Sequence, residues 1–190
     1  MSEKGKLIIL SGPSAVGKGT VIEALMAEYQ DIAYSISATT RKPRSGEKDG
    51  VDYFFLSEKE FKQKIKEDEF IEWAEVHGNY YGTPKDYVED TMAKGQDVIL
   101  EIDIQGAAQV KDKYAEEVFI FLAPPSLKEL ESRIHKRGTD SKEAIEVRME
   151  NATEEMEKAE NYDYMIVNDK VEKAVEQLKA IIIAERCKID

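Results

Sequence analysis

The chain has 190 residues, 42% of them hydrophobic, which suits one folded domain with a sizeable core and argues against disorder. Its 27 Lys and Arg against 39 Asp and Glu leave a net charge of −12, which opposes non-specific binding to nucleic acid or an anionic membrane. The single Cys, Cys187, forms no internal disulfide. No Cys/His spacing fits zinc, no apolar stretch is long enough to span a bilayer, and the N-terminal residues lack a signal peptide's apolar region. A soluble protein of the reducing cytoplasm is expected.

In chain order, the apolar run Leu7–Leu10 reads as a buried parallel strand that stops at Ser11-Gly12-Pro13. A helical pattern follows from Thr20, with Val21, Leu25 and Tyr29 on one face. The polar stretch Thr39 to Gly50 leads to Val51–Leu56, whose Tyr53, Phe54 and Phe55 suggest a strand. Ser57-Glu58-Lys59-Glu60 is a capping box for a helix carrying Phe61 and Ile65. Pro84 and Gly95 bracket another helix. Val98–Asp103 is a second buried strand, followed by a helix over about Gln105–Tyr114. Val118–Leu122 is a third strand, closed by Pro124-Pro125. Ser126 caps a helix with Leu127, Leu130 and Ile134 on its apolar face. Gly138 ends that helix, and the next begins near Asp140. Tyr164–Val167 and Val171–Ile183 are the last strand and helix.

Apolar strands alternating with amphipathic helices predict an α/β fold, a three-layer sandwich around a mostly parallel sheet. Segments 35–87 and 126–150 break the alternation and read as insertions at the carboxyl ends of strands, where ligands bind in such sheets. The core is then 1–34, 88–125 and 151–190.

Gly12-Pro13-Ser14-Ala15-Val16-Gly17-Lys18-Gly19-Thr20 joins the first strand to the first helix. Such a loop wraps backbone N–H groups around phosphates, a helix N-terminus adds positive potential, and Lys18 supplies a mobile charge. These residues are expected to hold ATP. Gly19 follows Lys18 where the strict pattern has Ser or Thr. The hydroxyl comes one place later, on Thr20, so magnesium ligation by Thr20 is left open. The chain lacks the Asn-Lys-x-Asp element of regulatory GTPases.

Residues Thr39 to Phe55 place a basic cluster beside an aromatic strand in an acidic protein. Arg41 and Arg44 suit a bidentate clamp on a phosphate, with Tyr53 as a hydroxyl donor. Glu101 and Asp103 stand two apart on the second strand and so point the same way at its carboxyl end. Arg133 and Arg137 share a helix face, four residues apart, and Arg148 lies on the next helix. His77 and His135 have no partner at catalytic spacing.

The passage Thr39–Phe55 resembles the signature of guanylate kinases. The similarity continues through Phe70-Ile71-Glu72-Trp73, Gly78–Thr83, Leu100–Gly106, Arg137-Gly138-Thr139 and Ile166–Asp169. The resemblance implies phosphoryl transfer from ATP to GMP with Mg²⁺. It implies that Arg41, Arg44, Tyr53 and Tyr81 hold the acceptor's phosphate, and that Ser37, Glu72, Thr83 and Asp103 read guanine. Lys18, Arg41, Arg133, Arg137 and Arg148 are then the catalytic cations, and Asn168 a candidate near adenine. Thr20, Glu101 and Asp103 are the candidate magnesium ligands, directly or through water. Guanine's N1–H and N2–H₂ donor pair matches one carboxylate, which adenine would leave unpaired. Ser37 or Thr83 can donate to O6. No residue is assigned to the ribose, so the choice between GMP and dGMP stays open. The family usually has Gly where this chain has Ala15. Two other readings are a kinase for a different monophosphate, which the two carboxylates disfavour, and a non-catalytic scaffold module, which Lys18 disfavours.

Overall fold

The computed structural model describes residues 4–76, 78–137 and 142–189, without the side chains of Arg137 and Lys142. The expectations for His77, for the helix break at Gly138 and for the helix start near Asp140 lie outside the described residues. The strands are β1 (Leu7–Ser11), β2 (Ile32–Tyr34), β3 (Ala38–Thr39), β4 (Phe54–Phe55), β5 (Phe70–Val76), β6 (Asn79–Pro84), β7 (Asp97–Glu101), β8 (Val118–Ala123) and β9 (Tyr164–Val167). The α-helices are α1 (Lys18–Glu28), α2 (Glu58–Lys66), α3 (Lys85–Ala93), α4 (Ile104–Lys113), α5 (Leu127–Arg137), α6 (Lys142–Glu157) and α7 (Val171–Arg186).

A five-stranded sheet runs in the order β2-β7-β1-β8-β9, with β2–β7, β1–β8 and β8–β9 all parallel. β1 and β8 are buried along their whole length, which is why they read as unbroken apolar runs. Burying each of their Leu, Ile and Phe side chains is worth roughly 1.5–3 kcal/mol. A second sheet has the order β4-β3-β6-β5, with β3–β6 and β5–β6 antiparallel.

The chain divides into two compact units: residues 1–7, 31–100 and 105–117, and residues 8–30, 101–104 and 118–190. In the first, β3, β4 and β6 are in register so that Thr39 stands beside Phe55 and Tyr81, while Ala38 stands beside Phe54 and Gly82. Strand alternation therefore gives the sheet two different faces. The Ala38 face packs on Phe61 of α2 and on Phe70, with Leu56, Ile65 and Tyr80 at its margin. The Phe61 ring stacks on Phe70 at 4.4 Å and on Tyr80 at 5.5 Å. Gln109 closes the edge of β5: its amide donates to the Trp73 carbonyl and accepts the Trp73 N–H.

Several expectations need correction. The first helix starts at Lys18, two residues before Thr20, because the loop turns directly into helix after a left-handed Gly17. Of the expected strand Val51–Leu56, only Phe54 and Phe55 pair as strand; Val51 and Asp52 belong to a turn. β7 ends at Glu101, so Asp103 lies beyond the strand and does not follow its alternation. The Ser57 capping box forms in full, with Glu60 accepting the Ser57 N–H at 2.8 Å. Ser126 Oγ accepts the Glu129 N–H at 3.1 Å. Among the described residues, no helix is long and apolar enough to cross a membrane.

Candidate functional site

In the unit holding residues 8–30, the loop Gly12–Thr20 links β1 to α1. Gly12, Ala15 and Gly17 all have positive φ, at 150°, 65° and 101°. Left-handed residues within a loop can turn neighbouring backbone N–H groups toward a common centre, which favours anions. Gly17 is required for space as well: a Cβ there would lie 2.7 Å from Asn168 Nδ2. Ala15 holds a left-handed conformation that costs an L-residue roughly 1–2 kcal/mol.

Three side chains brace this loop. Lys18 Nζ donates to the Gly12 carbonyl at 2.6 Å and leans toward Pro13 O at 3.4 Å. Asn168, 3% exposed, donates from Nδ2 to Val16 O at 2.9 Å. Arg133 spans three acceptors: Glu129 Oε1 at 3.1 Å, Val16 O at 3.2 Å and Asn168 O at 2.9 Å. Glu155, half-buried on α6, lies in the field of the Lys18 ammonium. Burial pushes the Glu155 carboxyl up, and nearby Asp103 adds to this, while the Lys18 ammonium and the Ser14 N–H oppose it. Burial also raises the Tyr162 phenol, whose neighbours include Ser11, Asp103 and Glu155.

Asp103 lies near Glu155 and Tyr162, and Glu101, at the end of β7, stands beside the start of α1. A Cβ on Gly19 would lie 3.5 Å from Glu101 Oε2. Thr20 is exposed on the first turn of α1. Arg148 is half-buried on α6, and the Arg137 side chain lies outside the described residues.

In the unit holding residues 31–100, Thr39, Tyr81 and Thr83 share the sheet face opposite Phe61, by register and alternation, and Ser37 lies just before β3, its carbonyl accepting the Phe54 N–H at 2.9 Å. Tyr53 and Phe55 lie with them, their rings 5.9 Å apart, and Tyr53 meets Tyr81 edge-on at 6.2 Å. The Arg41 guanidinium sits over the Tyr53 ring at 5.4 Å. Arg41 also forms a two-pronged pair with Glu47, at 3.0 and 2.9 Å. Both side chains are largely covered, at 15% and 18% exposure. Glu47 additionally accepts the Arg44 N–H at 2.7 Å, so one carboxylate fixes both arginines of the cluster. That pairing holds the Glu47 carboxyl below its ordinary range and raises Arg41 further. Arg44 itself is exposed.

Glu72 lies on β5, only 5% exposed, where the Thr83 hydroxyl donates to its Oε1 at 2.6 Å. Nothing in the sequence pattern separates this buried carboxylate from the neighbouring exposed Glu75. Glu72 was reached through the family resemblance, whereas Glu47 and Glu155 were missed. Glu47 sits three residues after Arg44, a spacing that permits a side chain to cap a turn. Glu155 is one of many Glu residues on α6, and only the fold selects it.

These two residue groups, a braced phosphate loop and an arginine–tyrosine cluster beside a buried carboxylate, invite comparison with known proteins. The guanylate kinase family profile matches residues 4–185. This chain belongs to the guanylate kinase family. It is 54% identical over 190 residues to a guanylate kinase of Caldanaerobacter subterraneus subsp. tengcongensis, covering 100% of this chain and 92% of that one. It is 58% identical to a guanylate kinase of Shouchella clausii, covering 98% and 91%. The crystal structure of guanylate kinase from Anaplasma phagocytophilum matches with a TM-score of 0.82 at 37% identity, covering 98% of this chain and 89% of that one. The guanylate kinase fold accounts for both the parallel sheet and the phosphate loop that begins from its central strand.

Proposed function

We propose that this chain transfers the γ-phosphate of ATP to GMP, giving ADP and GDP, with ATP on the Gly12–Thr20 loop and GMP on the Arg41–Tyr53–Tyr81 face. Membership of the guanylate kinase family carries the reaction. The observation that best supports the acceptor is the buried Glu72 carboxylate held by Thr83. A buried carboxylate matches the two adjacent donors of guanine and has no such partner in adenine. Because the Thr83 proton is committed to Glu72, we assign Thr83 to orienting that carboxylate and leave Ser37 as the hydroxyl that donates to O6. Asp103 is our second guanine-reading carboxylate.

Arg41, Arg44, Tyr53 and Tyr81 form the phosphate clamp, with Glu47 fixing both arginines. A phosphate monoester has its second pKa near 6, so the attacking oxygen is already largely ionised at neutral pH and no strong general base is needed. Chemistry then reduces to neutralising charge and aligning two anions. Lys18, Arg41, Arg133, Arg137 and Arg148 supply the positive charge. Lys18 and Arg133 rest on backbone carbonyls of the loop, which keeps them at hand. Asn168 we assign to holding the loop rather than to contacting adenine, since its amide is spent on Val16.

The donor set fits Mg²⁺, a hard cation that keeps most of its waters and leans on substrate phosphates. Among the described residues no three His, Cys, Asp or Glu side chains gather closely enough to hold a metal alone. Glu101, beside Gly19, and Asp103 would hold it, directly or through water, with Thr20 as a further candidate. When bound, the ion neutralises phosphate charge. Segments 35–87 and 126–150 are our acceptor-binding and lid segments, closing over the substrates so that water does not take the phosphoryl group. The lone, exposed Cys187 supports a reducing cytoplasm as the compartment.

Calorimetry on Arg41→Ala and Arg44→Ala tests the assignment. GMP binding should weaken at least tenfold, the scale of a lost charge-assisted bond, with ATP binding little changed. Equal loss for both nucleotides would remove the clamp from this face.

A further inference from the structure

Resting on the assignment of Glu72 to guanine, we propose that Gln109 is a positioning residue for base recognition: from α4 it clamps the outer edge of β5 where an extra residue turns Glu72 onto the acceptor face. The register of β5 on β6 pairs Phe70 with Pro84 and Trp73 with Gly82. Ile71 and Glu72 together therefore stand across from Thr83 alone, which is a β-bulge. Its effect is a change of face. The Phe70 ring stacks on Phe61 at 4.4 Å, and the Trp73 ring lies 6.1 Å from Tyr80, which also stacks on Phe61. Phe70 and Trp73 thus point to the same apolar face although they are three residues apart. In an unbroken strand Glu72, two residues after Phe70, would share that face. Because of the bulge it lies on the other, where the Thr83 hydroxyl donates to Oε1 at 2.6 Å. Gly82 leaves room for this: a Cβ there would stand 3.0 Å from the Glu72 carbonyl oxygen and 3.0 Å from the Phe61 ring.

A bulge interrupts the ladder on the inner side of β5, and β5 is the last strand in the order β4-β3-β6-β5, so side chains must hold its outer edge. Helix α4 supplies them. Gln109 Nε2 donates to the Trp73 carbonyl at 2.8 Å, and Gln109 Oε1 accepts the Trp73 N–H at 3.3 Å, so one amide takes the place of a neighbouring strand's backbone. Lys113, one turn further along the same helix face, donates from Nζ to the Ile71 carbonyl at 3.3 Å and lies 3.9 Å from Asp68 Oδ1. The residues on both sides of Glu72 are therefore tied to one helix, and the bulge keeps its register. Without Gln109 the extra residue is free to slide along β5, and a slip of one place returns Glu72 to the Phe61 face. A side chain that merely covered a sheet edge would guard against aggregation and leave base choice untouched.

Steady-state kinetics of the full chain with ATP, Mg²⁺ and either GMP or inosine monophosphate separates these roles. Inosine monophosphate keeps O6 and N1–H but lacks the 2-amino group, so only a well-aimed Glu72 gains a second hydrogen bond from GMP. Gln109→Met keeps the length of the side chain and removes both bonds to Trp73. The KM for GMP should rise about tenfold with the KM for ATP unchanged, and the kcat/KM preference for GMP over inosine monophosphate should fall about threefold. An unchanged KM for GMP overturns the proposal. So does a rise that is equal for both acceptors, since Gln109 would then support the fold around the site and not the aim of Glu72. Should the Met variant fail to fold, Gln109→Glu decides by the same two readouts, because it still accepts the Trp73 N–H but cannot donate to the carbonyl. Failure of the unmodified chain to phosphorylate GMP would count against the proposed function, whereas normal turnover by it beside an unaltered variant counts against Gln109 alone.

Discussion

The Thr83 hydroxyl donates to Glu72 Oε1 at 2.6 Å, in a pair where both residues are buried. Thr83 follows Tyr81 by two residues on β6, so the strand that carries the tyrosine assigned to the acceptor's phosphate also orients the carboxylate assigned to its base. Thr83→Val keeps the volume and removes that donor. The variant should bind GMP about tenfold more weakly while binding ADP as before, because only the orientation of Glu72 is lost. Titration calorimetry with each nucleotide checks this. Unaltered GMP affinity would show that Glu72 needs no orienting partner.

The fork between Arg41 and Glu47 sets a pH dependence. Glu47 titrates below its ordinary range in the folded chain because Arg41 and the Arg44 N–H favour its charged form. Its contribution to stability is therefore complete above the unfolded carboxylate value, near 4.3. It fades as pH falls through the lower folded value. Glu47→Gln should flatten the acid side of the curve of stability against pH while leaving its shape near neutrality unchanged. Urea unfolding at a series of pH values reads it, and an acid limb of the same steepness in both proteins would contradict it.

Ala15 carries the one positive φ in the phosphate loop that is not on a glycine. Ala15→Gly relieves the left-handed strain but frees the unfolded chain, so the net gain should be about 1 kcal/mol or less. For a chain of this size that is a rise of roughly 2–4 °C in Tm. A fall in Tm would mean that the Ala15 methyl earns its place through packing.

Much of this was legible in the sequence, and the reasons are specific. Leu7–Leu10 and Val118–Leu122 are buried on both faces and so appear as unbroken apolar runs. The Ser57 and Ser126 caps are local chemistry, set by residues three apart. β3 and β4 are two-residue strands, too short to show any period. β5 has Phe70, Ile71 and Glu72 all buried and its register shifts before Trp73, so its alternation is broken where a strand pattern would be sought. The roles of Arg41 and Arg44 were suggested by their spacing and by family resemblance. Glu47 holds Arg41 from six residues away and Arg44 from three, a loop closure that follows no helical or strand period. In a chain with 39 acidic residues, such a carboxylate does not stand out.

The central claim is that a guanine-reading carboxylate and an arginine clamp make GMP the acceptor. The most direct test is initial-rate measurement of ADP formation from ATP and Mg²⁺, with GMP, dGMP and AMP each offered at equal concentration. The account predicts rapid turnover with GMP and a rate with AMP lower by at least a hundredfold, a difference of about 3 kcal/mol. Equal rates with GMP and AMP would contradict it.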